Sequence, residues 1–417
     1  MGETGRLTRI IFAASVGNAL EWYDFTVYGY FALQISAAFF PAHDPVTSQL
    51  LTWAAFGTSF LARPLGALVL GSYADRKGRR AALSVSILLM SLGTLLMAVM
   101  PAYASIGLAA PVGIFVARLV QGFSAGGEFG GATAFMIEHA KTRRGFFGSF
   151  QFTSQSLAMA CGAGTAWALS ALLSAPHLHD WGFRLPFLAG LLIGPVGFYV
   201  RRHVEETPVF EQAQIGTAPA MALLLSYPGR LVLGAMTLAA GTAGTYASLY
   251  LPTYAQTQLH MNVASSFAVP LVTGLLSTVA MPVFAIVSDR IGRVTPMIGA
   301  VFLLMLWGYP AFSLVVAYPE FTVLMAVMVL RALLQTGYAA PIPTLLAEMF
   351  PTSTRSVGMS LSYALGVLAF GSFAPAAMTW LVHATGDAAS PGYYLAGAGM
   401  ISLIALVTIK RKIPLHI

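Results

Sequence analysis

Charge is scarce in this chain. Only 9% of its 417 residues are Asp, Glu, Lys or Arg, whereas a soluble globular domain carries roughly 25%. So few charges cannot cover a water-facing surface of this size. With 57% hydrophobic residues and a mean hydropathy of +0.75, the composition is that of an all-α polytopic membrane protein. Cysteine is rarer still: Cys161 stands alone, which excludes a disulfide framework and a cysteine metal site. The eight histidines (His43, His139, His177, His179, His203, His260, His383 and His416) lie in loops or near the ends of apolar runs, with no zinc-type spacing such as HExxH. Phosphate-cradling loops and activated-nucleophile motifs are also missing. An enzyme is disfavoured, with no catalytic residue, metal or cofactor expected. No cleavable signal peptide is expected either, because the first apolar run is too long for a signal core and contains acids.

What is present is a series of long apolar runs near residues 10–39, 47–72, 81–100, 105–138, 145–173 and 183–200, then 230–257, 265–287, 295–316, 321–347, 356–383 and 392–410. Each supplies the roughly 20 residues that a helix needs to cross the hydrocarbon, and barrel strands alternate over only about 10. Twelve spans are therefore predicted. The basic residues fix their orientation. Arg6, Arg9, Arg76, Lys77, Arg79, Arg80, Lys141, Arg143, Arg144, Arg201, Arg202, Arg230, Arg290, Arg293, Arg355, Lys410, Arg411 and Lys412 all fall at a terminus or in an even-numbered loop. The positive-inside rule then puts both termini and the even loops in the cytoplasm. The net charge of +7 is thus a topology signal, and no nucleic-acid partner is expected.

The two halves repeat. "ADRKGR" (74–79) follows span 2 and "SDRIGR" (288–293) follows span 8, which sets Asp75 against Asp289; Gln121 in span 4 stands against Gln335 in span 10 at the same offset. Each Gln follows a span arginine, Arg118 or Arg331. This predicts two parallel six-helix bundles, 1–200 and 230–417, joined by a cytoplasmic linker at 201–229.

"GSYADRKGRRAAL" (71–83) and "RLVQGFSAGGEFGGA" (118–132) resemble signatures of the major facilitator superfamily. Together with "GNALEWYDFTVYGYFA" (17–32), "FLARPLGALVLG" (60–71), "RRGFFGSFQ" (143–151) and "EETPVF" (205–210), the ordered set resembles its metabolite:proton symporters. Members of that family carry citrate, 2-oxoglutarate, related carboxylates, shikimate, or proline and betaine. The resemblance implies secondary transport in the cell inner membrane by alternating access, driven by the proton gradient without a cofactor. It also implies a cytoplasmic charge network that opens on switching: Asp75, Arg79, Glu138, Arg144, Asp289, Arg293, Glu348 and Arg355.

Charges inside the spans are expensive and so are functional candidates. They are Glu21 and Asp24 in span 1, Arg63 in span 2, Arg118 and Glu128 in span 4, and Arg331 in span 10. Static helix–helix ion pairs are the competing reading. Glu21, Asp24 and Tyr28 share one helix face, and the rise of a helix puts Asp24 and Arg118 at similar depth. Proton coupling is therefore expected at Asp24 and Glu21 with Arg118. Protonating Asp24 would free Arg118 for a substrate carboxylate, and related proton-coupled sugar porters are similar in pairing a span-1 acid with this arginine. Glu21 is either a second proton carrier or the partner of Arg63. Arg63 has a packing reading as well, and Glu128 either pairs with Arg63 or faces the inner vestibule. Substrate contacts are expected from Arg118, Arg331, Arg63, Tyr28, Gln121, Gln151, Gln155, Tyr250, Gln335 and Tyr338, with Tyr246 and Tyr254 on the same stripe as Tyr250. For the neutral members, interhelical hydrogen bonding is an equal alternative.

Guanidinium forks suit carboxylates, so the expected cargo is a small organic di- or tricarboxylate such as citrate, carried with a proton by a monomer in the lipid bilayer. Shikimate or proline/betaine symport is the alternative, as is an exporting antiporter; "CGAGTAWAL" (161–169) lacks the proline of the antiporter motif, which favours symport. The two-half repeat disfavours a channel.

Overall fold

The computed structural model describes residues 3–77, 79–126, 133, 136–137, 143–191, 226–351 and 354–413; the side chains of 3–14, 71–72, 74–76 and 79–83 lie outside that description. The linker expected at 201–229 and the predicted residue Glu128 fall largely or wholly outside it, as do Glu138 and the side chains of Asp75 and Arg79.

Hydrocarbon offers no hydrogen-bond partner, so each apolar run has to satisfy its backbone groups within itself and becomes helical. Among the described residues every regular element is a helix. The main helices are α1 (Glu3–Tyr30, continued by Ala32–Phe39), α2 (Pro45–Lys77), α3 (Arg79–Val99), α4 (Ala109–Ser124), α5 (Arg144–Leu172) and the start of α6 at 185–191. The second half holds α7 (Pro228–Thr257), α8 (Val263–Ile291), α9 (Val294–Ala317), α10 (Phe321–Ala339, continued by Ile342–Met349), α11 (Arg355–Phe370, continued by Ala374–Thr385) and α12 (Pro391–Lys412). Their order follows the predicted spans.

Among the described residues, six stretches are long and apolar enough to cross a membrane by length and composition: Pro45–Leu70, Val263–Ile291, Val294–Ala317, Phe321–Met349, Arg355–Thr385 and Pro391–Lys412. Helices α1, α5 and α7 are of similar length but more polar, and their position explains it. In α7, 20 of 30 residues are buried, against nine of 29 in α8. A helix surrounded by protein can carry Tyr, Thr and Gly; one that faces lipid cannot do so cheaply.

Packing reproduces the repeat. Within the first half α1 lies on α5, and α4 lies on α2 and α3; within the second, α7 lies on α11, and α10 lies on α8 and α9. Across the halves α5 packs on α8, and α2 on α11, which is the same contact with the halves exchanged. Small residues bring the backbones together. A Cβ on Gly122 would overlap the Ser59 carbonyl, and one on Gly66 would overlap that of Phe123, so α2 and α4 touch main chain to main chain.

Gly122→Ala is expected to force α2 and α4 apart and cost about 1–3 kcal/mol. Gly397→Ala, where nothing lies within 4 Å of the added methyl, should leave stability unchanged or raise it slightly. Thermal unfolding of the two purified variants compares them directly.

Candidate functional site

In the first half the charges meet along two routes. Arg63 of α2 donates to Glu21 of α1 at 3.0 Å, and its guanidinium stands over the rings of Phe25 and Phe60 at 4.8 and 4.6 Å. Of the two readings of Glu21, the geometry realises the one in which it partners Arg63. Arg118 of α4 is fully buried and boxed by Phe25, Tyr28 and Phe56, with ring centroids 4.5 to 5.1 Å from its guanidinium carbon. It donates to Gln121 Oε1 at 2.8 Å and Ser59 Oγ at 3.2 Å.

Asp24 is buried as well, yet it forms no ion pair with Arg118. The expected direct contact is replaced by a chain of side chains. Arg118 donates to Gln121 Oε1, Gln121 Nε2 donates to Thr94 Oγ1 at 3.1 Å, and Thr94 Oγ1 donates to Asp24 Oδ2. Equal depth fixed one coordinate only; sideways, α3 inserts Thr94 between the two charges. Asp24 Oδ1 and Arg118 Nε remain without hydrogen-bond partners. Gly190 of α6 lies against Oδ1, and a Cβ there would press on it at 2.7 Å.

In the second half Arg331 has no acid partner among the described residues. Its guanidinium donates to the Gly244 carbonyl at 3.3 and 3.4 Å and to Ser248 Oγ, and its Nε is unpaired. Ser248 also lines a cavity of about 90 Å³ between the halves. Trp22, Phe152, Tyr246 and Tyr363 supply its aromatic wall, Gln155 and Gln335 its amides, and no charged side chain among the described residues lines it.

The two halves also touch toward either end of the molecule. At one end Tyr30 and Phe31 of the first half pack on Phe267 of the second at 6.1 and 5.9 Å, and Trp53 packs on Tyr250 at 6.0 Å. At the other, the basic end, Asp289 of α8 accepts from the Gly145 and Phe146 amides of α5 at 2.9 and 3.0 Å. A carboxylate at a helix N-terminus is favoured there by free N–H groups and the helix dipole. Arg293 bridges Asp289 at 2.6 Å and Glu348 at 3.3 Å, and Thr344 reaches the Arg144 carbonyl at 3.3 Å. Arg355 donates to the Ala347 carbonyl at 3.0 Å, while the carboxylate of Glu348 faces Arg293.

Of the expected substrate contacts, Gln155, Gln335 and Tyr246 line the cavity. The others are committed to helix contacts. Tyr28 donates to the Thr52 carbonyl, Tyr338 to that of Thr237, Tyr254 to that of Ala388, and Gln151 to Asn18 Oδ1. Tyr250 stacks between Trp53 and Tyr254. Gln121 belongs to the Asp24 chain, and Arg63 and Arg118 stand behind the aromatic wall. Sequence reasoning missed Thr94, Trp22, Ser248 and Tyr363. Thr94 carried one usable signal, being a hydroxyl near the middle of an apolar span; the others carried none, because Ser, Trp and Tyr are ordinary in helix contacts.

The family model described as "Sugar (and other) transporter" matches residues 10–225 and again 211–411. The chain is 36% identical over 406 residues to a citrate-proton symporter of Klebsiella pneumoniae, covering 96% of this chain and 91% of that one. It is 32% identical over 424 residues to a proline/betaine transporter of Salmonella typhimurium, covering 98% and 84%. The solved structure of a D-xylose-proton symporter superposes with a TM-score of 0.77 over 98% of both chains at 16% identity, a likeness of fold.

Removing one member of a buried ion pair strands the other. Glu21→Gln is expected to lower unfolding stability by about 3–5 kcal/mol, and the double change of Glu21 and Arg63 to Met should recover most of it. Thermal unfolding in detergent reads both.

Proposed function

The chain belongs to the sugar (and other) transporter family of the major facilitator superfamily, and on that premise we propose that it takes up a small organic di- or tricarboxylate, such as citrate, together with a proton. It is a multi-pass membrane transporter and not an enzyme. One observation carries the reading: the first half buries a carboxyl, Asp24, and the second half buries a guanidinium, Arg331, that has no acid partner among the described residues.

Asp24 is the proton site in this account. As an anion it attracts Arg118 across the Thr94–Gln121 chain; once protonated, it releases that attraction. Arg331 has its fork on one carbonyl and one hydroxyl, both neutral, so an entering carboxylate replaces weaker acceptors with a stronger, bidentate one. The carboxylate displaces Ser248 from Arg331 at the cavity wall. The end that carries Asp289, Arg293 and Glu348 is the cytoplasmic one, and its inter-half contacts part when the carrier opens inward. Such contacts are individually weak, and a few kcal/mol is enough to move a conformational equilibrium.

A second reading has its own support. The cavity is lined by Trp22, Tyr246, Tyr363 and hydroxyls with no charge, a surface that suits a quaternary ammonium by cation–π attraction. Under that reading the cargo is a betaine-like zwitterion whose carboxylate takes Arg331.

Asp24→Asn is expected to abolish accumulation of labelled citrate against its gradient in proteoliposomes while leaving counterflow measurable; uphill accumulation by this variant would remove Asp24 from the coupling step. Arg331→Lys, which keeps the charge and loses the fork, should weaken citrate half-saturation about tenfold or more. Thermal stabilisation by glycine betaine and not by citrate would favour the second reading.

A further inference from the structure

Thr94 has one hydroxyl hydrogen and two acceptors for it. One is Asp24 Oδ2; the other is the Met90 carbonyl one turn back on α3, at 3.0 Å, the usual partner of a threonine inside a helix. The same oxygen accepts from Gln121 Nε2 at 3.1 Å, and a hydroxyl oxygen has lone pairs for two donors. These three contacts define two complete arrangements. With Asp24 ionised, the Thr94 hydrogen points to Oδ2 and the Met90 carbonyl keeps only its helix bond. With Asp24 neutral, the new proton sits on Oδ2 and is donated to Thr94 Oγ1, while the Thr94 hydrogen turns to the Met90 carbonyl. No proton leaves Thr94 in either case; one O–H bond forms on Asp24 with a proton from the aqueous phase, and one hydroxyl rotates.

We infer that Thr94 is a positioning residue for proton coupling: a two-way hydrogen-bond partner that accommodates both charge states of Asp24 and passes the difference, through Gln121, to Arg118. This rests on the reading of Asp24 as the proton site. Among the described residues, the groups around Asp24 leave no other candidate for the task. Arg118 is the charged group that faces it from α4, Tyr23 is the titratable neighbour on its own helix, and α6 presents Gly190. Oδ1 has no hydrogen-bond partner among the described residues, so among them the hydrogen-bonding response to a change of charge passes through Oδ2 and Thr94. A hydroxyl donating to a carboxylate also polarises its own oxygen, which strengthens the bond it accepts from Gln121; when Asp24 is neutral that reinforcement is lost, and the anchor that holds Arg118 loosens.

The test is an infrared titration of the reconstituted full-length protein, following the carboxyl band that Asp24→Asn removes. Thr94→Val keeps the side-chain shape and deletes the donor to the carboxylate, so its midpoint should move to higher pH by about one unit or more. Thr94→Ser, which keeps the hydroxyl, should titrate at the wild-type midpoint. A role limited to packing would give Thr94→Val lower thermal stability with an unmoved midpoint, and that result overturns the inference while leaving Asp24 in place. If the wild-type protein shows no titrating band that Asp24→Asn removes, the reading of Asp24 itself falls, and with it this one.

Discussion

Hydrocarbon gives a buried charge nothing to bind, and the arrangement of the central helices follows from that cost. Glu21 and Arg63 answer it by pairing directly, with the aromatic faces of Phe25 and Phe60 covering the guanidinium. Asp24 and Arg118 answer it differently, each held by neutral polar groups that connect them at a distance. The difference has a functional side. A tight ion pair resists any change in either partner, whereas two charges linked through Thr94 and Gln121 can change state without stranding a bare ion in the bilayer. The rest of the first half serves this constraint: α2 and α4 approach closely through Gly66 and Gly122, and α3 approaches α4 at Gly93, where a Cβ would overlap the Gln121 side chain.

The cavity and the charge chain are neighbours kept apart by aromatic rings. Tyr246 lines the cavity and packs on Trp22, Phe56 and Phe60 at 6.2, 5.8 and 5.5 Å, with Phe56 and Phe60 belonging to the boxes around Arg118 and Arg63. The cavity lies between halves that are related by the repeat, and the exchange of α5–α8 for α2–α11 contacts is the symmetric move such a repeat makes available.

Much of this was legible in the residues, and the limit is physical. The apolar runs predicted the span order, and the spacing from Asp75 to Asp289 predicted two halves, because both are read along one dimension. Depth and helix face also come from rise and periodicity, which is why Glu21, Asp24 and Arg118 were recognisable as a group. Who touches whom does not follow from those quantities. That Glu21 lies beside Arg63 is seen only in three dimensions, and nothing in a one-dimensional pattern reveals the side chain of α3 lying between Asp24 and Arg118. The tyrosines show the same gap. Tyr28, Tyr250 and Tyr338 lie on inward faces as expected, yet each spends its ring or hydroxyl on a neighbouring helix, while Tyr246 from the same stripe reaches the cavity.

The account turns on an anion and a proton moving in the same direction through one site. In weakly buffered proteoliposomes with the purified protein facing one way, adding citrate outside should make the external medium more alkaline as citrate enters, since each uptake event consumes an external proton. Acidification of that medium on citrate entry, or citrate entry with no proton movement, would contradict it.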